Sequence, residues 1–192
     1  MAYATLEDVR GYLDIDGTGD DYLLQEALED AASYIDHQTN RHFEAVTETR
    51  YYQVDALNDE DVFLLMVDDD LLTVTTLTNG DSAGTAIPDT DYWLWPRNSG
   101  PPYWGIRLYT DSSYSWEFDT DEWVSVAGTW GYSTTCPDDV RRATLVLAAY
   151  LFRSKDSQVF ETTAIVESGA IAIPQGIPAT VDRIIKRYRR GI

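Results

Sequence analysis

The chain has 192 residues, enough for one domain with a sizeable core, and its 33 acidic against 14 basic side chains leave a net charge of −19. So acidic a body repels a nucleic-acid backbone rather than gripping it, and a single cysteine, Cys136, excludes an internal disulfide. No stretch approaches the length of a membrane span, and the N-terminus lacks a basic flank before an apolar run, so neither a transmembrane helix nor a signal peptide is expected.

The charge is unevenly spread. Residues 1–140 carry a net of −24 and residues 141–192 a net of +5, which makes the C-terminal part a contact element aimed at something acidic. Only two of the basic residues are lysines. That scarcity, with abundant Asp, suits a high-salt or GC-rich source, and composition does not separate the two.

Thr5-Leu6-Glu7-Asp8 fits a capping box and predicts a short helix to about Leu13. DIDGTGDD follows as a Gly and Asp loop, with Asp20 or Asp21 placed to cap a second helix. In that helix Leu24, Leu28, Ala31 and Ile35 recur at helical spacing, Ala27 and Tyr34 widen the stripe, and Glu26, Glu29, Asp30 and Asp36 take the other faces. Thr39-Asn40 ends it, since Asn tolerates the left-handed conformation.

From about Phe43 to Tyr132 the texture turns to short β-branched and aromatic runs: TRYYQV, DVFLLMV, LLTVTTL, DYWLW, WGIRLY, YSWEF and EWVSVAG. NGD, PDTD, PRNSGPP and DTD separate them as turns, and Asn79-Gly80 is the clearest hairpin signal. Seven runs predict a small antiparallel sheet or barrel inserted between helices. Five of the six tryptophans fall between Trp93 and Trp123, and Trp130 closes the run. They read foremost as the filling of a β core or a subunit contact, and secondarily as a sugar-stacking platform using Trp93, Trp95, Trp104 and Trp116.

After Pro137, with Asp138 and Asp139 at its positive end, a third helix is predicted. Val140, Ala143, Leu147, Tyr150 and Leu151 mark one face, but Leu145, Val146, Ala148, Ala149 and Phe152 leave almost no polar face. Such a helix belongs at the centre of a bundle. Residues 154–176 lack helical periodicity and read as a hairpin or a loop reaching a neighbouring subunit. Pro178 then opens a last helix, with Val181, Ile184, Ile185 and Tyr188 inward and Arg183, Lys186, Arg187, Arg189 and Arg190 on the other sides.

Catalytic chemistry finds little support. Asp14, Asp16 and Gly19 echo a calcium loop, but Thr18, Tyr22 and Gln25 replace stronger ligands and Glu26 comes one residue late, so a capping loop is the better reading. Asp68-Asp69-Asp70 reads as a solvated turn between strands. His37 and His42 have no cysteine at zinc-like spacing. No nucleophile elbow, phosphate loop, His-Glu-x-x-His or dinucleotide fingerprint occurs, so no enzyme, cofactor or metal is expected. An acidic-site hydrolase rests on its carboxylates alone.

Four stretches in this order carry a resemblance: TLEDVRGYLDI; DDYLLQEALEDAASYIDHQTNRHF; VAGTWGYSTTCPDDVRRATLVLAAYLF; and IPATVDRIIKRYRR. They resemble the head–tail connector, or adaptor, proteins of tailed bacteriophages and related viruses. The likeness rests on Thr39, Asn40, Arg41 and Phe43; on Gly128, Gly131, Tyr132 and Pro137; and on Pro178, Tyr188 and Arg189. It covers less than half of the chain, and residues 45–125 are longer and richer in Trp than in compact members.

The resemblance implies an α+β protein with about four helices, residues 1–44 and 133–192 forming a helical bundle and 45–132 a Trp-rich antiparallel β insertion within one adaptor domain. It implies a non-enzymatic virion component at the neck, assembled in the host cytoplasm. Its partners would be a portal protein, a tail-side stopper or tail terminator protein, and its own copies in a ring, typically twelve-fold, through which DNA passes without sequence-specific binding and with no membrane. The portal-facing set would be Arg183, Lys186, Arg187, Tyr188, Arg189 and Arg190. The alternative is a carbohydrate-binding β module on a helical scaffold.

Overall fold

Thr5 starts the first helix, α1 (Leu6–Leu13), through the reciprocal bonds its sequence predicts. Its hydroxyl accepts from the Asp8 amide at 3.1 Å, and its own amide donates to Asp8 Oδ2 at 2.9 Å. The computed structural model describes residues 3–80, 84–117, 123–154, 165–166, 169–170 and 176–191. These form two compact units, residues 1–40 with 137–192 and residues 41–136, so the chain passes between them at Asn40–Arg41 and Cys136–Pro137.

The helical unit contains four α-helices among the described residues: α1, α2 (Asp21–Thr39), α3 (Asp138–Ser154) and α4 (Ala179–Tyr188). Asp14 closes α1 and Asn40 closes α2, both in the left-handed conformation, at φ 56° and 52°. Asp20 stands at the N-cap of α2 but makes no side-chain capping bond; Asp21 instead accepts from Arg10 Nε at 2.8 Å. The expected stripe of α2 is buried, with Leu24, Leu28, Ala31 and Ile35 fully enclosed. Each large aliphatic removed from water there contributes about 1.5–3 kcal/mol before its ordering entropy. Helix α3 packs against all three other helices, the place its greasy composition predicts. Its buried face is Val140, Ala143, Leu147, Ala148 and Phe152, while Leu145, Val146 and Tyr150 are only half-buried.

The sheet unit is antiparallel, with strand order β1-β7-β3-β6-β5: β1 (Val46–Tyr52), β7 (Val124–Trp130), β3 (Asp61–Asn79), β6 (Tyr103–Leu108) and β5 (Tyr92–Trp95). Two short strands, β2 (Leu57–Asn58) and β4 (Thr85–Ile87), also pair with β3. Strand β3 spans both DVFLLMV and LLTVTTL, which the sequence reading separates. It serves β6 with Leu64–Leu71 and β7 with Leu71–Thr78, and its register shifts between Met66 and Leu71 and twice more before Leu77. A strand of 19 residues needs such bulges to bend around one core. Leu65, Leu71, Leu77, Ile106, Leu108, Val126 and Trp130 fill that core.

Two local expectations change. Asp68-Asp69-Asp70 is part of β3 at its bend, not a solvated turn, and Asp69 and Asp70 are buried. YSWEF is not a strand over residues 114–117: side chains hold it instead of a ladder. Asn79 Nδ2 donates to the Ser115 carbonyl at 2.6 Å, the Glu117 amide donates to Asn79 Oδ1 at 3.2 Å, and Trp116 Nε1 donates to the Phe63 carbonyl at 3.0 Å. Asn79 is thus the last residue of β3, paired with Thr85, and Gly80 begins the turn at φ 79°. The DTD turn at 119–121 lies outside the described residues. So does most of 154–176, apart from Ile165–Val166 pairing antiparallel with Gly169–Ala170.

Candidate partner-docking surface

Helix α4 is anchored by two residues and decorated by the rest. Val181 and Ile185, one turn apart, are buried in the helical unit, and Ile184 and Tyr188 are half-buried beside them. Arg183, Lys186 and Arg187 are exposed, with 71% of the Lys186 side chain and 74% of Arg187 open to water. Lys186 Nζ bonds Asp182 Oδ2 at 2.7 Å within the helix, a solvent-facing pair that holds little energy and is readily exchanged for another partner.

The end of the helix turns back rather than projecting. Tyr188 donates its hydroxyl proton to Asp139 Oδ1 at 2.8 Å, and Arg187 reaches Asp139 Oδ2 at 3.4 Å. The Arg190 amide donates to the Thr39 carbonyl at 2.9 Å, and Arg189 Nε to the Gln38 carbonyl at 3.1 Å. The predicted set therefore divides: Arg183, Lys186 and Arg187 form an outward cationic face, while Tyr188, Arg189 and Arg190 fasten the helix to the start of α3 and the end of α2. Asp139 and Gln38 were not foreseen as anchors. Asp139 has a sufficient role as a helix-dipole residue, and nothing local links either residue to positions about 50 and 150 further along.

A second polar constellation lies in the sheet unit around Arg50. Its guanidinium sits 4.4 Å from the Trp130 ring centroid and pairs with Glu48 at 2.7 Å, Asp68 at 3.2 Å and Asp69 at 3.1 Å. Burial opposes the Arg50 charge, but these carboxylates outweigh it and raise its pKa above the ordinary value. Burial also raises the Tyr52 phenol, whose hydroxyl donates to Asp68 Oδ1 at 2.6 Å. Asp69 is pushed up by burial too, yet the hydrogen bonds from His42 and the Asp70 amide and the charges of His42 and Arg50 hold it at about 2. The arrangement is a structural clamp on the bend of β3. Among the described residues no group of three His, Cys, Asp or Glu side chains converges as a metal site, and no helix is long and apolar enough to cross a membrane.

The four tryptophans of the sugar-platform reading do not form a flat face. The rings of Trp93 and Trp95 lie 5.4 Å apart but tilted by 48°, and Trp116 is packed against the sheet core with its indole N–H committed to a carbonyl. Trp104 is exposed.

Of the residues that carry the sequence resemblance, Arg41, Phe43, Gly131 and Tyr132 come together in the sheet unit. Arg41 NH1 pairs with Asp70 Oδ2 at 2.5 Å and lies 5.1 Å from the Tyr132 ring centroid, and the Phe43 ring lies 5.5 Å from Tyr132. The Gly131 amide donates to the Asp70 carbonyl and the Tyr132 amide to the His42 carbonyl, both at 2.7 Å. Gly131 has φ 126°, with the Glu44 carbonyl oxygen 2.5 Å from where a Cβ would stand, so only glycine fits.

Residues 3–72 match the phage gp6-like head-tail connector protein family. That span includes α1, α2, β1 and much of β3, with Arg41, Phe43 and Asp70 of the cluster around Tyr132. Three solved structures share the fold at 19% identity: the neck of an empty gene transfer agent particle computed with C6 symmetry (TM-score 0.63), the virion of a native gene transfer agent particle (0.62), and the neck of the native particle computed with C12 symmetry (0.59). Each alignment covers 97% of this chain, and 89%, 89% and 88% of the respective matched chains. A comparison with curated protein sequences gave no match.

Proposed function

We propose that this protein is a non-enzymatic structural component of a phage-like particle, a connector at the neck between a DNA-filled head and the tail. The observation that carries the proposal is that the fold is shared along almost the whole chain with proteins of a gene transfer agent neck, while its N-terminal part matches the gp6-like connector family. The helical unit and the Trp-rich sheet insertion act as one adaptor. Copies form a ring, twelve-fold in this reading, between the portal and a tail-side stopper or terminator protein, assembled in the host cytoplasm and retained in the virion.

In this proposal α4 meets the portal. Arg183, Lys186 and Arg187 supply the charge, and Tyr188, Arg189 and Arg190 hold the helix at a set angle. Such charge complementarity fixes register and encounter rate more than raw affinity. The acidic body, with 33 carboxylates against 14 cations, gives passing DNA little to adhere to, which suits a conduit without sequence preference.

Removing residues 178–192 is a poor test, because Val181 and Ile185 are core residues of the helical unit. The better variant is Arg183→Glu with Lys186→Glu, which leaves those anchors in place. Co-sedimentation with the portal protein from the same particle should fall about tenfold, and binding of the unaltered chain should weaken with salt. Equal portal binding by the variant would remove α4 as the docking element.

A further inference from the structure

Two helix faces in the helical unit carry opposite charges that no ion pair satisfies among the described residues. On α3, Arg142, Val146 and Arg153 lie along one outer stripe, with Leu145 beside it. Arg142 and Arg153 are three turns, about 16 Å, apart, and both are exposed. Neither pairs with an acidic group among the described residues. Between them Leu145 and Val146 are half-buried on a helix whose opposite face is fully enclosed.

The outer face of α2 has the inverse character. Tyr22 is 72% and Leu23 40% exposed, so the first turn of α2 presents an aromatic and an aliphatic side chain to water side by side. Glu26, Glu29 and Asp30 follow on the same side, all exposed. Their neighbours are neutral: Tyr22 donates to Glu26 at 2.6 Å and Gln25 to Glu29 at 2.7 Å, and no cation pairs with the three carboxylates among the described residues. One face is thus apolar with a guanidinium at each end, and the other apolar with a carboxylate rim.

We propose that these faces meet between adjacent copies of the chain: the α3 stripe of one subunit packs on the α2 face of the next, with Arg142 and Arg153 reaching the acidic rim. The inference rests on the ring reading and deepens it by naming the contact. Two different surfaces joining head to tail propagate around a circle, whereas a surface that met only itself would stop at a pair. Leu145, Val146, Tyr22 and Leu23 supply the desolvated centre, and the charges select the partner and its register.

The test uses heads assembled without this protein, incubated with the full purified chain. Bound copies per head are counted for the unaltered protein, for Arg142→Glu/Arg153→Glu, for Glu26→Arg/Glu29→Arg, and for a chain that combines the two pairs. Each reversed protein alone should bind about tenfold fewer copies. A chain carrying all four substitutions should recover to within about twofold, the coupling that a double-mutant cycle reads as direct contact. The milder Arg142→Gln/Arg153→Gln should fall in between, and thermal melts establish that every variant is folded. Folded reversals that load heads as well as the unaltered chain would overturn the helix assignment and leave the neck role standing. So would a fourfold variant that recovers nothing. Heads that take up none of the unaltered chain would overturn both.

Discussion

The guanidinium of Arg41 lies 5.1 Å from the centroid of the Tyr132 ring while its NH1 holds the Asp70 carboxylate at 2.5 Å. One side chain, just after the chain enters the sheet unit, thereby ties together that entry, the bend of β3 and the exit after β7. Asp70 is 3% exposed, so its charge depends on the surrounding donors. Replacing Arg41 by Ala should destabilise the protein by about 2–4 kcal/mol, read as a fall in the urea midpoint with an unchanged slope. Arg41→Lys should recover only part, because an ammonium neither stacks nor forks.

The Asp69 carboxyl gives the protein a specific acid sensitivity. Its folded pKa of about 2 lies below its ordinary 3.8, so the native state binds fewer protons than the unfolded chain between those values. The stabilisation is complete above about pH 4 and is lost as pH falls through 3.8 toward 2. Asp69→Asn should lower stability at pH 7 by ~1–2 kcal/mol and flatten the stability profile in that acid window. Denaturant melts from pH 2 to 7 check both effects; a variant with the original acid slope would show that other carboxyls carry it.

Two glycines in the strands that flank β3, Gly128 in β7 and Gly105 in β6, should respond differently to alanine. At Gly128 a Cβ would overlap the Thr73 carbonyl oxygen, which is backbone in the neighbouring strand and cannot step aside. At Gly105 the closest atom is the Leu64 Cδ1 methyl at 2.8 Å, which can rotate away, with the Leu65 carbonyl oxygen next at 3.0 Å. Gly128→Ala should cost about 2–3 kcal/mol and Gly105→Ala about 1, measured as thermal midpoints. The reverse order would contradict the close approach of β3 and β7.

Helix α4 separates into stability and contact residues. Ile185→Ala removes a side chain 3% exposed and should cost about 2–4 kcal/mol. Arg183→Glu should move the melt by no more than about 0.5 kcal/mol while weakening portal binding. Calorimetry and co-sedimentation on the same preparations resolve the two effects.

The Thr5 cap is a smaller, local case. Thr5→Ala removes the acceptor for the Asp8 amide and should cost about 1 kcal/mol. Asp8 is also held at about 2 by the hydrogen bond from Arg141, then by Thr5, so Arg141→Gln should raise its pKa toward the ordinary carboxylate value, visible by NMR titration.

The helices were legible because their signals are local. Capping at Thr5, the apolar stripe of α2 and the left-handed Asn40 each depend on residues within a few positions of one another. Helix α3 announced its burial by lacking a polar face. The bend of β3 was hidden for the opposite reason. Three consecutive Asp residues look like solvent-exposed turn chemistry until Arg41, His42 and Arg50 arrive from 18 to 29 positions away to neutralise them. The same limit hid the role of Asn79, which carries a hairpin signal yet spends its side chain on Ser115 and Glu117. On the candidate docking surface, the cations were visible but their division was not, since Asp139 and Gln38 meet α4 only after the chain has folded back.

The helical unit is assembled from residues 1–40 and 137–192, with all of the sheet unit encoded between. A ribosome therefore releases α1 and α2 long before α3 exists, and the nascent chain waits through the synthesis of 41–136 with Leu24, Leu28 and Ile35 lacking their eventual cover. The sheet unit, contiguous in the message, can close first. The middle of the chain is consequently free to fold before its two ends, and the first helices stay uncovered until the last residues are made.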